Sequence, residues 1–222
     1  MTGTLAIVGG AEFSAECDFD ADLVGADGEV LVLPTAHAFE DPAATISAAK
    51  NHFESLGSTV RTLDVYTRRD ALDPEKYQAV KDAQVIYITG GSPMHLRSVL
   101  AESPLLGTLV DAWERGATVV VAAEAGAVMC SHMVDFRGGA FTVGIGVVTT
   151  MTVIPKFNRW SEEKFHRTMQ LAAPELTLVA VEDATALIRS SDGQWNVQGA
   201  GKVEVFRAGN RLGLEDLPES LS

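Results

Sequence analysis

The sequence predicts an α/β protein, a three-layer sandwich with a mostly parallel central sheet between helices and a β-rich C-terminal part. In the first two thirds of the chain, short apolar runs alternate with amphipathic stretches, the pattern of βαβ units with right-handed crossovers. Residues 118–121, Thr-Val-Val-Val, are β-branched and apolar from the second position on, as expected of a strand buried on both faces. The last third changes to closely spaced β-like runs.

Local signals define the elements of the first two thirds. Gly57 provides a C-cap for a helix over 43–56. Asp73-Pro74-Glu75 supplies an N-cap, an N1 proline and an acidic first turn. The predicted strands are 5–8, 30–33, 60–65, 85–88 and 118–121, and the predicted helices are 43–56, 74–83, 93–100 and 105–115.

The sequence of the last third predicts one helix, 161–171, among several strands. The β-like segments are 143–154, 177–181, 186–189, 195–197 and 203–206, and Ser191-Asp192-Gly193 is a turn signal between two of them. We expect a single domain over residues 1–209. The polar tail, residues 210–222, is expected to fray.

Composition narrows the class of protein. The 222 residues are 46% hydrophobic and 21% charged, as in ordinary globular domains. The net charge of −13 repels phosphate backbones and anionic membranes, so we expect neither a nucleic-acid nor a membrane partner. The N-terminus lacks a basic segment, and no apolar run is long enough for a membrane helix. A cytoplasmic protein is expected.

Metals and cofactors have no sequence support. Cys17 and Cys130 form neither a disulfide framework nor a metal cluster, and the histidines lack ligand spacing. Gly9-Gly10 lacks the G-x-G-x-x-G spacing of a dinucleotide loop. We therefore predict no metal site and no cofactor.

One segment has the form of a nucleophile elbow. Residues 119–121 form an apolar strand, Ala122-Ala123-Glu124-Ala125-Gly126 a turn of small residues, and a helix follows. In α/β hydrolases such a turn projects one functional side chain into a cleft, near the positive end of a helix dipole. Glu124 is the single charged residue of this run, and a carboxylate buried there without a partner would be unfavourable.

From about residue 5 to residue 206, the chain resembles the cyanophycinase and peptidase E (aspartyl dipeptidase) group of type 1 glutamine amidotransferase-like proteins. The matching landmarks are Leu5-Ala6-Ile7-Val8-Gly9-Gly10-Ala11-Glu12-Phe13, Val32-Leu33-Pro34-Thr35-Ala36, Ile88-Thr89-Gly90-Gly91-Ser92-Pro93-Met94-His95-Leu96, Glu124-Ala125-Gly126-Ala127 and Val153-Ile154-Pro155-Lys156-Phe157. The resemblance implies a class I glutamine amidotransferase-like fold and is compatible with a homodimer. It also implies a cleft where backbone amides of Gly91 and Ala125 form an oxyanion hole.

The departures from the family pattern alter both chemical roles. Where family members carry a serine nucleophile and a histidine base, this sequence has Glu124 and Lys156. An ionised carboxylate has no proton for a base to remove, and a protonated amine is a poor base at neutral pH. Ordinary serine-peptidase chemistry is therefore expected to be absent. An ion pair between Glu124 and Lys156 is the simplest arrangement of the two charges.

Other residues are candidates by their place in the matched loops. Asp135 either matches the acidic third triad member or caps a turn. The arginines Arg137 and Arg159 are candidates to bind a carboxylate, with a solvated surface position as the alternative for each. The remaining substrate-binding candidates are Ser92, His95 and Glu12, of which Glu12 either lines or braces the cleft.

Three functions remain open at this point. The first is a pseudoenzyme that binds a small molecule, peptide or protein without cleaving it. The second is a repurposed enzyme, with Glu124 as base or nucleophile and Lys156 as acid or electrostatic partner. The third is residual serine-type peptidase activity with Ser92 or Ser131 as a substitute nucleophile. The sequence identifies no base for either serine.

Overall fold

The computed structural model describes residues 2–221. Its strands are β1 Leu5–Val8, β2 Glu29–Leu33, β3 Thr59–Thr62, β4 Val85–Ile88, β5 Thr118–Ala122, β6 His132–Val134, β7 Phe141–Val143, β8 Met151–Ile154, β9 Thr177–Val181, β10 Thr185–Arg189, β11 Trp195–Gly199, β12 Val203–Arg207 and β13 Asn210–Leu212. Its α-helices are α1 Asp20–Val24, α2 Pro42–Ser55, α3 Arg68–Ala71, α4 Pro74–Gln78, α5 Pro93–Leu100, α6 Pro104–Glu114, α7 Glu124–Met129 and α8 Glu162–Leu171. Short 3-10 helices cover Thr35–His37, Phe157–Arg159 and Leu214–Asp216.

The central sheet has seven strands in the order β11-β10-β1-β5-β4-β2-β3. β1, β5, β4, β2 and β3 are parallel, and β10 and β11 extend the sheet antiparallel beyond β1. The predicted α/β fold with a mostly parallel sheet is confirmed. Because the carboxyl ends of the parallel strands share one edge, the loops after β1, β4 and β5 lie together there.

Side chains that alternate along the strands divide the core between two faces. On one face, Ile7, Ile88 and Val121 belong to a cluster that also contains residues of α5, α6 and α7. On the other face, Val8 and Tyr87 pack in a separate cluster with residues of α2. Helices therefore cover both faces, as the three-layer prediction requires.

Several helices begin with the expected capping chemistry. The Asp41 carboxylate accepts the amide of Ala44, and Pro42 stands at the first helical position of α2. The Ser103 hydroxyl likewise accepts an amide at the start of α6. These side chains satisfy amides that lack a partner in the first helical turn.

A second sheet, in the order β13-β12-β9-β8, brings further loops toward the same edge of the central sheet. β8 and β9 are parallel. The Lys156 amide, after β8, donates to the Gly9 carbonyl at 2.8 Å, and the Ala184 amide, after β9, donates to the Gly10 carbonyl at 2.7 Å. The loops after β8 and β9 are thus fixed against the loop after β1.

The C-terminal segment is ordered, and the prediction that residues 210–222 fray is wrong for residues 210–221. β13 pairs with β12, and Leu217 and Leu221 are both 5% exposed. The Thr149 amide donates to the Leu221 carbonyl at 2.7 Å. The leucines bury enough apolar surface to hold the segment against the body of the protein.

Several element boundaries also differ from the sequence prediction, among them that of β3, which ends at Thr62, three residues before the predicted end. The β-like stretch 143–154 is divided between two separate strands, β7 and β8, because the intervening residues carry bends and one isolated bridge, Val148 with Cys130, instead of a ladder. α4 ends at Gln78, five residues before the predicted end. Within residues 2–221, no helix has the length and apolar character needed to cross a membrane.

Candidate functional site

The turn after β5 is a strained elbow, and its strained residue is Ala123. Ala123 has φ 47° and ψ −125°, a backbone conformation that is unfavourable for a residue with a Cβ. Its amide donates to the Val8 carbonyl at 2.7 Å, which ties the turn to β1. Glu124 follows as the first residue of α7, where a carboxylate is favoured by the helix dipole. The sharp turn is therefore made one residue before the glutamate.

Glu124 and Lys156 form the predicted ion pair. Lys156 Nζ lies 2.7 Å from Glu124 Oε1, and the exposed fractions of the two side chains are 9% for Glu124 and 33% for Lys156. Glu124 Oε2 is buried and has no hydrogen-bond partner within residues 2–221. The pair thus joins a carboxylate with one unused acceptor to an ammonium that water can reach.

Gly10 makes room for the lysine. Lys156 has a left-handed backbone, with φ 53° and ψ 39°, and its side chain crosses the loop after β1. A Cβ on Gly10 would lie 2.7 Å from Lys156 Cγ and 2.4 Å from Asp183 Oδ1. Both contacts are too close for any other residue type at position 10. The glycine turn thus fixes the path of the lysine side chain toward Glu124.

Asp183 is the acidic side chain beside this pair that the sequence reasoning missed. Its Oδ2 accepts hydrogen bonds from Arg159 Nε at 2.5 Å and from Asn158 Nδ2 at 3.1 Å. Asp183 Oδ1 is buried and has no partner in the described chain. Arg159 is thereby ion-paired, although its side chain is 62% exposed. Asp183 is the middle residue of the three-residue loop between β9 and β10, and no local sequence signal marks it as part of the site.

Glu12 braces the loop after β4. Its Oε1 accepts the Gly90 amide at 3.0 Å, and a Cβ on Gly90 would lie 2.8 Å from that oxygen and 2.9 Å from Ala123 Cβ. Both neighbours of Glu12, Ala11 and Phe13, have positive φ. Of the two roles expected for Glu12, lining or bracing, this hydrogen bond shows the second.

The amides of Gly91 and Ala125 are free to bind an acceptor. Neither donates a hydrogen bond to any group within residues 2–221. Ala125 is the second residue of α7, where an amide has no partner within the helix. Their role as an oxyanion hole stays a prediction.

Ser92 and His95 lie at the start of α5 with different surroundings. Ser92 precedes α5 and its hydroxyl caps no helix amide, while its amide donates to the Ala36 carbonyl at 2.9 Å. The His95 ring nitrogen Nε2 lies 2.8 Å from the Tyr66 carbonyl, and its ring packs edge-on against Phe39. His95 is thus engaged with the loop before α3, and no contact joins it to Glu124 or Lys156.

Asp135 serves as a turn cap in the hairpin between β6 and β7. Its Oδ1 accepts the Arg137 amide at 3.0 Å, and its own amide donates to the Ala140 carbonyl. No hydrogen bond or ion pair joins Asp135 to Lys156, which pairs with Glu124. Of the two roles considered for Asp135, the structure supports the turn cap. Arg137 is exposed, with its guanidinium carbon 5.5 Å from the centre of the Phe136 ring.

The other possible nucleophiles lack an activating base. Cys130 is buried, its thiol contacts the Gly126 carbonyl, and burial raises its pKa to about 12. Ser131 contributes its amide and carbonyl to backbone hydrogen bonds with Val148 and Gly144. Among the described residues, no histidine contacts the hydroxyl of Ser92 or Ser131, and no three His, Cys, Asp or Glu side chains cluster as metal ligands.

A parallel sheet whose central strand passes through a strained turn into a helix, with charged side chains at the carboxyl edge, defines an α/β protein of the hydrolase type. More narrowly, the chain belongs to peptidase family S51, whose sequence model matches residues 5–195.

Curated relatives and solved structures agree with this assignment. A cyanophycinase from Geminocystis herdmanii is 21% identical over 194 residues, which cover 82% of this chain and 70% of the relative. A cyanophycinase from Synechococcus elongatus is 25% identical over 203 residues, covering 82% of this chain but only 59% of the relative. The chain therefore spans considerably less than the full length of either protein.

Two solved structures share the fold. The crystal structure of a peptidase from an acI-B1 actinobacterium has a TM-score of 0.83 at 27% identity, over 96% of this chain and 93% of that one. A Listeria monocytogenes protein assigned as peptidase E has a TM-score of 0.63 at 14% identity, over 93% of this chain and 99% of that one. The second likeness concerns the fold alone.

Proposed function

We propose that this S51-family chain is a pseudoenzyme that binds a small molecule or peptide at its elbow without cleaving it. The observation that carries the proposal is the 2.7 Å ion pair between Glu124 and Lys156, at the positions where the family motifs place a serine and a histidine. The strained elbow residue offers no nucleophile either, since Ala123 has only a methyl group. Neither Ala123 nor Glu124, the two residues that could be taken as the apex of the turn, carries a hydroxyl group.

Several features of the cleft support binding. The amides of Gly91 and Ala125 have no internal acceptor, and Lys156 is one-third exposed, so an anionic or carbonyl oxygen would find donors. Glu124 Oε2 is an unused acceptor for an N–H or O–H group. A ligand with both donors and acceptors, such as a peptide or an amino-acid derivative, has the matching chemistry.

A second candidate is a repurposed enzyme in which Glu124 is the base or nucleophile. The observation that favours it is the unpartnered Glu124 Oε2, which has no hydrogen bond to give up before it takes a proton or attacks an electrophile. Because this oxygen is buried, the side chain must first rotate to expose it to a substrate. In this case turnover would depend on the ionised carboxylate, and Glu124→Gln, which keeps the size of the side chain, would abolish it.

The test combines turnover and binding on the same samples. Wild type, Glu124→Gln and Lys156→Met are incubated with aspartyl dipeptides, isoaspartyl peptides and a metabolite panel, and products are followed by mass spectrometry. Thermal shifts on the same panel report binding, and a fluorophosphonate probe reports a reactive serine. Ser92→Ala and Ser131→Ala identify the nucleophile if labelling occurs.

The pseudoenzyme predicts ligand-dependent thermal shifts in wild type, altered shifts in the Glu124 and Lys156 variants, no product and no labelled serine. Turnover by wild type that vanishes in Glu124→Gln would replace it with the repurposed enzyme. Peptide cleavage that disappears with Ser92→Ala or Ser131→Ala would overturn both candidates in favour of a serine peptidase.

A further inference from the structure

A pocket of about 260 Å³ lies between the start of α5 and the β6–β7 hairpin. Most of its wall is apolar, with Met94, Met133, Phe136 and Phe141 among the lining side chains, while Ser92 contributes a polar group. Met133 is buried, whereas Met94 is 55% exposed. An apolar wall with a few polar groups, at nearly the volume of a small ligand site, is typical of a ligand-binding pocket.

The pocket adjoins the proposed binding cleft. Its residue Ser92 directly follows Gly91, whose amide has no internal acceptor. Its residue Pro93 begins α5, which packs against the elbow helix α7. A ligand held at the elbow can therefore extend a side chain into this pocket.

Positive charge gathers beside the pocket on a chain of net charge −13. Arg137 lines the pocket and has no carboxylate partner within residues 2–221. Lys164 Nζ donates to the Phe136 carbonyl at 2.9 Å, and Arg167 Nη1 lies 3.9 Å from the place of a Cβ on Gly138. Asp135 also lines the pocket and carries the opposing charge, and its Oδ1 accepts the Arg137 amide in the turn.

We propose that this pocket binds the apolar side chain of a ligand whose carboxylate pairs with Arg137, as in a peptide or N-acylated residue that ends in phenylalanine, leucine or methionine. The inference rests on the proposed binding function and specifies its ligand class. It differs from the acidic side chains that the family resemblance implies, because most of the wall is apolar, with methionine and phenylalanine side chains, and its charged residues are one arginine and one aspartate. The guanidinium supplies directional donors for one carboxylate at the mouth.

The test is an NMR titration of the isotope-labelled protein with four probes. N-acetyl-phenylalanine carries both features, its amide lacks the charge, N-acetyl-glycine lacks the side chain, and N-acetyl-aspartate replaces the apolar group by a second carboxylate. Thr142→Trp fills the pocket, and Val143→Trp is its matched control on the opposite face of the same exposed strand. Arg137→Gln removes the charge, and its control is Arg115→Gln, which changes an exposed arginine at the carboxyl end of α6.

N-acetyl-phenylalanine is expected to shift pocket resonances and to bind at least about tenfold more tightly than N-acetyl-glycine, because burial of its ring is favourable. Arg137→Gln and the amide probe should each weaken binding about tenfold or more, through loss of a charge-assisted hydrogen bond. Thr142→Trp should abolish binding, while Val143→Trp and Arg115→Gln leave it unchanged.

Three results would overturn the inference. They are equal affinity for N-acetyl-phenylalanine and its amide, higher affinity for N-acetyl-aspartate than for N-acetyl-phenylalanine, and no shift of pocket resonances with any of the four probes. The same spectra separate this failure from failure of the proposed function. Hydrolysis of a probe, seen as release of acetate, would contradict the pseudoenzyme even if pocket binding were intact. If the probes are not hydrolysed and no pocket resonance shifts, only the proposed class of ligand is contradicted, and the proposed pseudoenzyme is not.

Discussion

Removal of Lys156 should destabilise the protein more than neutralisation of Glu124. Lys156→Met leaves a carboxylate that is 9% exposed without its partner, whereas Glu124→Gln leaves an ammonium that is 33% exposed and can be hydrated. Loss of one partner of a fully buried pair costs about 3–5 kcal/mol. Because water reaches one side of this pair, we expect about 2 kcal/mol for Lys156→Met and about 1 kcal/mol for Glu124→Gln.

The double variant Glu124→Gln/Lys156→Met should recover most of the loss, because an uncharged pair has no unpaired charge to bury. Urea unfolding followed by circular dichroism gives the free energy of each variant, and the four proteins form a double-mutant cycle with an expected coupling of about 2–3 kcal/mol. For a chain of this size, 2 kcal/mol corresponds to a decrease in Tm of about 4–8 °C. Additive effects, or a Lys156→Met protein as stable as wild type, would refute the reasoning.

Three further predictions concern other parts of the structure. His52→Leu should lower the free energy of unfolding, measured in urea titrations, by about 3 kcal/mol. The substitution removes the 2.9 Å partner of Asp20, a carboxyl group that is 1% exposed and whose pKa is raised by burial. A loss below about 1 kcal/mol would contradict this prediction. Asp70→Asn should lower stability by about 1 kcal/mol at pH 7. Hydrogen bonding to Lys76 holds the pKa of Asp70 below its ordinary value, so the contribution is present above the unfolded-state pKa of about 3.9 and is lost as the pH falls toward the folded-state value. A stability difference that did not decrease between about pH 4 and about pH 2 would be inconsistent with it. Leu221→Ala should lower the free energy of unfolding by about 2 kcal/mol and speed proteolysis of the C-terminal segment, because Leu221 is buried against an apolar cavity. Unchanged stability and an unchanged rate of proteolysis would show that this residue does not anchor the segment.

The order of strands and helices in the first half of the chain was predictable because each βα unit carries its own signals. Consecutive apolar residues mark β5, and Asp73-Pro74 marks a helix start that the structure confirms. The C-terminal segment was mispredicted because its polar residues outweigh its few leucines in any local window. Leu217 and Leu221 find their partners far away in the chain, which no local pattern records.

The residues of the candidate site also fall into two groups, those that the sequence could place and those that it could not. Glu124 and Lys156 could be paired from the sequence because each belongs to a motif with a fixed place in the fold. Asp183 could not be assigned to the site from the sequence, because its approach to Gly10 and Arg159 depends on the parallel pairing of β8 with β9 in the second sheet. Asp135 was ambiguous for a related reason: only the closed hairpin shows its carboxylate occupied by the Arg137 amide.

The ion pair and the backbone around it point to different roles. A strained residue such as Ala123 persists only where its surroundings hold it, and here Gly90 packs against its Cβ while Glu12 fixes the Gly90 amide. That framework keeps the geometry of a binding cleft. The charged pair contributes little to folding that two uncharged side chains could not replace, because desolvation offsets much of its attraction. If the uncharged double variant matches wild type in stability yet loses its ligands, the pair serves recognition, and the cleft is a binding site built on a peptidase scaffold.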